Sequence, residues 1–115
     1  LEEKMERIEN FPHSVQVAGD TIKMEKNRIY KTWADGSTGS MAVTSNVIGV
    51  AVSEPCEEYV IVLESVDGYH VMSRLQGWFG PYAEIKDIAF DDAKKVASVV
   101  GKKGDSEGSF PLVRE

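Results

Sequence analysis

The one thiol of the chain, Cys56, stands in the run Glu54-Pro55-Cys56-Glu57-Glu58. A nucleophilic cysteine works as its thiolate, and flanking carboxylates oppose that ionisation. Cys56 is therefore expected as a plain loop or edge cysteine. The two imidazoles, His13 and His70, lie in no context that would pair either with Cys56. His70 is expected on a strand, bonded across the ladder to Ser65. One cysteine and two histidines give no recognised zinc spacing. Glu54, Glu57 and Glu58, or Asp91 and Asp92, offer oxygens to calcium, but the EF-hand loop pattern is absent. The run Ala34-Asp35-Gly36-Ser37-Thr38-Gly39-Ser40 lacks the lysine and the strand–helix setting of a phosphate loop. No catalytic set, no metal site and no cofactor are expected.

What remains is aromatic. Gly77-Trp78-Phe79-Gly80-Pro81-Tyr82 puts three rings into six residues. Gly77, Gly80 and Pro81 suit a connection that changes direction. Phe79 is expected to plug the core, with Trp78 and Tyr82 forming an exposed contact surface. A second arrangement places Trp33 and Trp78 around a pocket that also holds Glu64, His70 or Arg74, as a small enzyme or ligand-binding barrel would require.

Charge narrows the partners. The chain has 115 residues and a net charge of -6, and residues 31–90 hold Lys31, Arg74 and Lys86 against eight acidic side chains. An acidic middle repels phosphate backbones, so nucleic acid is disfavoured. No apolar run reaches the roughly twenty residues of a membrane-spanning helix, and no secretory pattern opens the chain. A lone cysteine fits a reducing, cytoplasmic setting.

The elements that must position these residues read as follows. Leu1, Met5 and Ile8 at i, i+4, i+7 predict a short N-terminal helix over 1–10, ending before Pro12. Residues 13–90 predict a β-rich body. Within it, Met41–Val52 is two short strands, or one strand with a bulge at Gly49. Residues 58–66 and 69–76 flank Asp67-Gly68 and predict a hairpin pairing Val66 with Tyr69 and Glu64 with Val71. Its face of Val60, Val62, Val66, Tyr69, Val71 and Leu75 reads as core, and its face of Tyr59, Ile61, Leu63, His70, Met72 and Arg74 is apolar enough near Ile61 and Leu63 for another layer to cover part of it. Residues 81–90 fit either a strand or the start of a helix. Ala93, Val96, Ala97 and Val100 predict a helix over 91–101, opened by Asp91-Asp92, ended by Gly101, with Lys94, Lys95, Lys102 and Lys103 around its end. Residues 102–115 predict a flexible or docking tail.

Several stretches carry a resemblance: Asp20–Lys31, Met41–Val52, Glu58–Tyr69 and Ile88–Val100. In that order they resemble the small bacterial and archaeal PH-like and GRAM-like domains. The resemblance spans residues 20–100 and favours a strand over 84–90. It implies an α+β fold, a curved antiparallel sheet or small, partly open barrel capped by the C-terminal helix. It also implies a binding or scaffold module. Lys23, Lys26, Arg28 and Lys31 lie where phosphoinositide-binding members carry a basic loop. Glu25 dilutes them, and a solvated face with no peripheral membrane contact is the favoured reading. The expected function is a non-catalytic interaction module with a protein partner, which includes a second copy of the chain.

Overall fold

A computed structural model describes residues 2–114. Leu1 and Glu115, the ends of the expected helix and tail, lie outside the described residues. Every regular element among the described residues is a β-strand. An N-terminal arm holds β1 (Glu2–Glu3) and β2 (Glu6–Arg7). The first sheet is a meander of β3 (His13–Val17), β4 (Asp20–Met24), β5 (Arg28–Thr32) and β6 (Thr38–Ala42). The central sheet follows with β7 (Asn46–Ser53), β8 (Glu58–Ser65), β9 (Gly68–Ser73) and β10 (Gly77–Tyr82). The last sheet holds β11 (Glu84–Asp91), β12 (Val96–Lys103) and β13 (Ser106–Pro111). All pairings are antiparallel, and β1 joins β11 while β2 joins β7.

The central sheet is covered on both faces because both faces of its strands are apolar. Side chains alternate along a strand, yet Glu58 through Leu63 are all buried. Val60, Val62 and Val71 pack with Ile85, Ile88, Phe90 and Val99 of the last sheet. Tyr59, Ile61 and Leu63 pack with Val17, Ile22, Met24 and Ile29 of the first. Each such side chain contributes about 1.5–3 kcal/mol relative to exposure, so neither outer sheet is dispensable. The arm ties two sheets together: Lys4 donates to the Ile88 carbonyl at 2.9 Å and Ile8 to that of Ile48 at 3.0 Å. Met5 N–H also donates to Asp87 Oδ1 at 3.0 Å.

The central and last sheets are one structural repeat. The paired run of β7 starts at Asn46 and that of β11 at Glu84, 38 positions later, and each ladder slips after its second pair, at Val47/Gly49 and Ile85/Asp87. The pairs Ser53↔Glu58 and Asp91↔Val96 then close turns of equal length. Both turns end on a residue of positive φ, Glu57 (50°) and Lys95 (58°). On the face pointing away from the first sheet, Val60 and Val71 of the central sheet correspond to Ser98 and Ser109 of the last. Val62 keeps a valine counterpart in Val100, so the outer face of the last sheet is more polar than that of the central sheet without being wholly so, in the direction a terminal unit requires.

The α+β, helix-capped barrel is overturned. Residues 91–101 are the end of β11, a turn and β12. The helical spacing arose because Ala93 belongs to the turn while Val96, Ala97 and Val100 belong to a strand. Gly101 is no helix cap. It sits in β12 where a Cβ would lie 2.1 Å from the Glu84 carbonyl oxygen at the β11 bulge. Residues 2–10 form no helix either. The arm is extended, and Ile8 is buried against the first sheet's core. The sheets are open, with no closed barrel. Residues 81–82 end β10 and residues 84–90 lie in β11, with Ala83 between them, and the tail supplies β13. Gly77–Tyr82 is not a connection but β10 itself, paired with β9. The hairpin pairs Glu64 with Tyr69 and Ser65 with Gly68, a slip of two residues that keeps the paired side chains on their expected faces, while Val66 and Leu75, expected in the core, lie beyond the strand ends and stand exposed. Met41–Val52 divides into the end of β6 and β7, and the β7 ladder bulges before Gly49.

Gly101→Ala is expected to destabilise the fold by about 1–3 kcal/mol, the cost of overpacking. Urea unfolding measures it; an unchanged midpoint would show that Glu84 yields freely.

Candidate functional site

Cover over the central sheet is complete at the inner strands and fails at the outer ones. Between β6 of the first sheet and β9–β10 of the central sheet a groove opens. One part, about 340 Å³, is lined by Ile29, Lys31, Trp33, Gly39, Met41, Tyr59 and Met72. The other, about 420 Å³, is lined by Met41, Val43, Ser45, Ser65, Asp67, His70 and Trp78. Met41 belongs to both, and Trp78 and Met72 are cross-strand partners, so the two parts adjoin. Trp33, Met41 and Trp78 are 41%, 37% and 44% exposed.

The Trp33 end rests on a buried charge cluster. Asp20, 4% exposed, takes the Ala34 N–H on Oδ1 at 3.1 Å. Its Oδ2 lies 3.4 Å from Lys31 Nζ and 3.5 Å from Arg74 Nε. Arg74 Nε makes no hydrogen bond there, so that contact is ionic only. Arg74 is instead fixed by Nη1 donating to the Glu57 carbonyl at 2.9 Å. Lys31 Nζ stands 5.1 Å from the Trp33 ring centre and 5.5 Å from that of Tyr59. Such cation–π contacts hold both rings at the groove wall. Burial pushes the Tyr59 phenol pKa up. Beneath lies Glu58, whose carboxyl takes the Ser73 hydroxyl at 2.5 Å and the Leu75 N–H at 3.3 Å. Burial raises its pKa above the ordinary carboxyl value in spite of those bonds.

At the Trp78 end, His70 Nε2 lies 2.9 Å from Asp67 Oδ1, a bond that holds the Asp67 pKa below its usual value. Gly80 lets the ring close against β10: a Cβ there would lie 2.6 Å from His70 Nδ1. The hydroxyls of Ser45 and Ser65 bond each other at 3.2 Å. His70 thus pairs with Asp67, not with Ser65 as the sequence led one to expect.

The structure brings Trp33, His70, Arg74 and Trp78 to this groove or its base. Tyr82 is elsewhere: it is 2% exposed and packs with Phe110 between the central and last sheets, ring centres 6.1 Å apart. The expected exposed role of Tyr82 is therefore withdrawn. Phe79, the expected plug, is half-buried against that same core. The four basic residues do not converge. Lys23 stacks on Tyr30 on the solvent face, Lys31 points at the central sheet, Arg28 bonds Ser40, and Lys26 is exposed at a turn. Cys56 is buried rather than on an open edge, and its thiol pKa is raised first by that burial. Met41 was missed by the sequence reading; its signal was an apolar side chain in an otherwise small, uncharged run. Among the described residues no three His, Cys, Asp or Glu side chains gather as a metal site, and no helix is long and apolar enough to cross a membrane.

Asp20→Ala strips two cations of their partner and is expected to cost about 3 kcal/mol, read by urea unfolding; a loss under about 0.5 kcal/mol would mean solvent already satisfies Lys31 and Arg74. Glu58 gives a pH signature. Its folded pKa is raised, so its contribution is most favourable below the ordinary carboxyl pKa and is lost as pH rises through the folded value. Glu58→Gln carries no charge to desolvate. Its melting temperature relative to wild type should climb between about pH 4 and pH 8; a pH-independent difference would assign the effect to packing. Comparison with protein-family models, with curated proteins and with solved structures finds no match for this chain.

Proposed function

We propose that the chain is a non-catalytic interaction module whose working surface is the groove between β6 and β9–β10. One observation carries the reading. Of the large apolar side chains exposed among the described residues, Phe11, Val66, Leu75 and Val113 are scattered, while Trp33, Met41 and Trp78 stand along one groove. Exposed aromatics with a sulfur side chain form adaptable contact surfaces, and tryptophan is enriched among the residues that dominate binding energy. The groove runs beside strand edges, so the partner that fits is an extended protein segment with apolar side chains at alternate positions. An acidic chain without a converging basic patch disfavours nucleic acid as that partner. A single, buried thiol supports a cytoplasmic setting.

Selection from a library of displayed peptides tests the reading. Selected peptides are expected to alternate apolar and polar residues. Met41→Asp and Trp78→Ala should each weaken their binding about tenfold or more, the size of a hot-spot loss. Peptides that bind both variants as tightly as the wild type would place the working surface elsewhere.

A further inference from the structure

Each sheet has two edges: the N-terminal arm lies on one edge of the central and last sheets, β3 forms one edge of the first, and the opposite edges, β6, β10 and β13, are treated differently. On β13, Leu112 N–H donates to the Ala97 carbonyl of β12. Alternation along the ladder therefore turns positions 107, 109 and 111 toward the open edge. Position 111 is proline, with no N–H to offer, and Glu107 adds a charge held 2.7 Å from Lys86. On β10, Pro81 and a break in the ladder interrupt the edge. Arg114 covers it further, donating to the Gln76 and Trp78 carbonyls and lying 4.2 Å from the Phe79 ring centre. Proline, bulges and charge are the devices that keep strand edges from pairing.

β6 has none of them. Residues 36–46 contain no charged residue and no proline. Trp33 N–H donates to the Ser37 carbonyl and Val43 N–H to the Asn27 carbonyl. The same alternation then directs the N–H and C=O groups of Thr38, Ser40 and Ala42 outward, unpaired.

We propose that β6 is the pairing edge of a symmetric dimer, joined antiparallel to β6 of a second copy with the two-fold axis at Ser40. This rests on the groove reading above and names its partner. In that register Ser40 faces Ser40 and Thr38 faces Ala42, so all three outward donors on each strand meet outward acceptors. The two first sheets become one continuous eight-stranded sheet. Gly39 faces Met41 of the other copy. Gly39 is where the groove wall is lowest, since a Cβ there would lie 3.1 Å from the Trp33 ring. The Met41 side chain of each copy thus enters the other's cleft beside Trp33. Charge agrees: a molecule of net charge -6 repels its copy, and an uncharged strand is where close approach costs least. An interface of one strand pair and one side-chain exchange lies at the small end of specific interfaces, so the dimer is weak, with a dissociation constant on the order of 10–100 µM.

Sedimentation equilibrium of the full chain up to about 500 µM, well above that range, gives the test. Wild type is expected to dimerise. Ser40→Pro, which removes the central outward donor, and Met41→Lys, which places a charge on the exchanged side chain, should each leave a monomer whose circular dichroism and melting temperature match wild type. Either variant suffices if the other fails to fold. Ser40→Cys supplies the geometric check. The two Cα atoms on the axis would be about 5.5 Å apart in a hydrogen-bonded pair, within disulfide reach, so mild oxidation should trap a covalent dimer. Thr38→Cys, roughly 14 Å from its symmetry mate by strand rise, should not cross-link. A strict monomer at that concentration overturns the proposal, as does a dimer that survives both substitutions with no Ser40→Cys cross-link. If the chain stays monomeric yet still selects alternating peptides through the groove, self-pairing falls and the groove reading stands.

Discussion

The structure depends on a sheet that no single partner layer can satisfy. From Glu58 to Leu63 the central strand β8 buries every side chain, and alternation sends those side chains to opposite faces. Covering one face would leave Tyr59, Ile61 and Leu63, or Val60 and Val62, in water. The cost of several such side chains approaches the whole stability of a small domain. The first and last sheets are the two covers, and the N-terminal arm strings the inner edges of the central and last sheets together.

The same requirement explains how the stack stops. A repeated meander with an apolar outer face would call for another cover and then another. The chain ends the series by changing residues while keeping geometry. The last sheet repeats the central sheet's bulge, turn length and left-handed turn residue. It places Ser98 and Ser109 where the central sheet has Val60 and Val71. At the other end the solvent face of the first sheet carries Thr21, Lys23, Tyr30 and Thr32. Interaction is thereby moved away from the sheet faces and onto the outer edges.

Much of the β architecture was legible. The β8–β9 hairpin with its two apolar faces followed from local pattern, and so did an interruption within Met41–Val52, read as either a break between two strands or a bulge at Gly49, because alternation and turn chemistry are local. The ends were misread for a physical reason. Asp91–Gly101 spans a four-residue turn, and inserting four residues between strands turns a period of two into an apparent i, i+3, i+4 spacing. The comparison that resolves it was available: Val47–Ser65 and Ile85–Lys103 align without a gap, with Ala51 on Ala89 and Ile61 on Val99. A segment that is a strand in one copy is then a strand in the other. At the N-terminus, Met5 and Ile8 match a helical stripe equally well as an extended arm. What decides is the open edge of β7 and β11, which is non-local. For the site, aromatic content pointed to Trp33 and Trp78, whereas Tyr82 looked identical in sequence. Its burial depends on the last sheet and Phe110 lying over it.

The position of the groove follows from the covering argument rather than from anything special in its residues. The first sheet meets the central sheet through β3, β4, β5 and β7, β8. Beyond them β6 turns Gly39 and Met41 toward the central sheet, and glycine leaves the space toward β10 unfilled. Met41 alone reaches into it, and Trp78 stands opposite without enough neighbours to be buried. A bulky residue at Gly39 would close the gap and seal Trp33 beneath it. The small, uncharged composition of β6 thus does two things at once: it leaves the groove open and leaves its own backbone edge accessible. That coupling makes an open edge beside an apolar groove a single interaction surface, in which backbone pairing sets direction and register while the groove selects the side chain that enters.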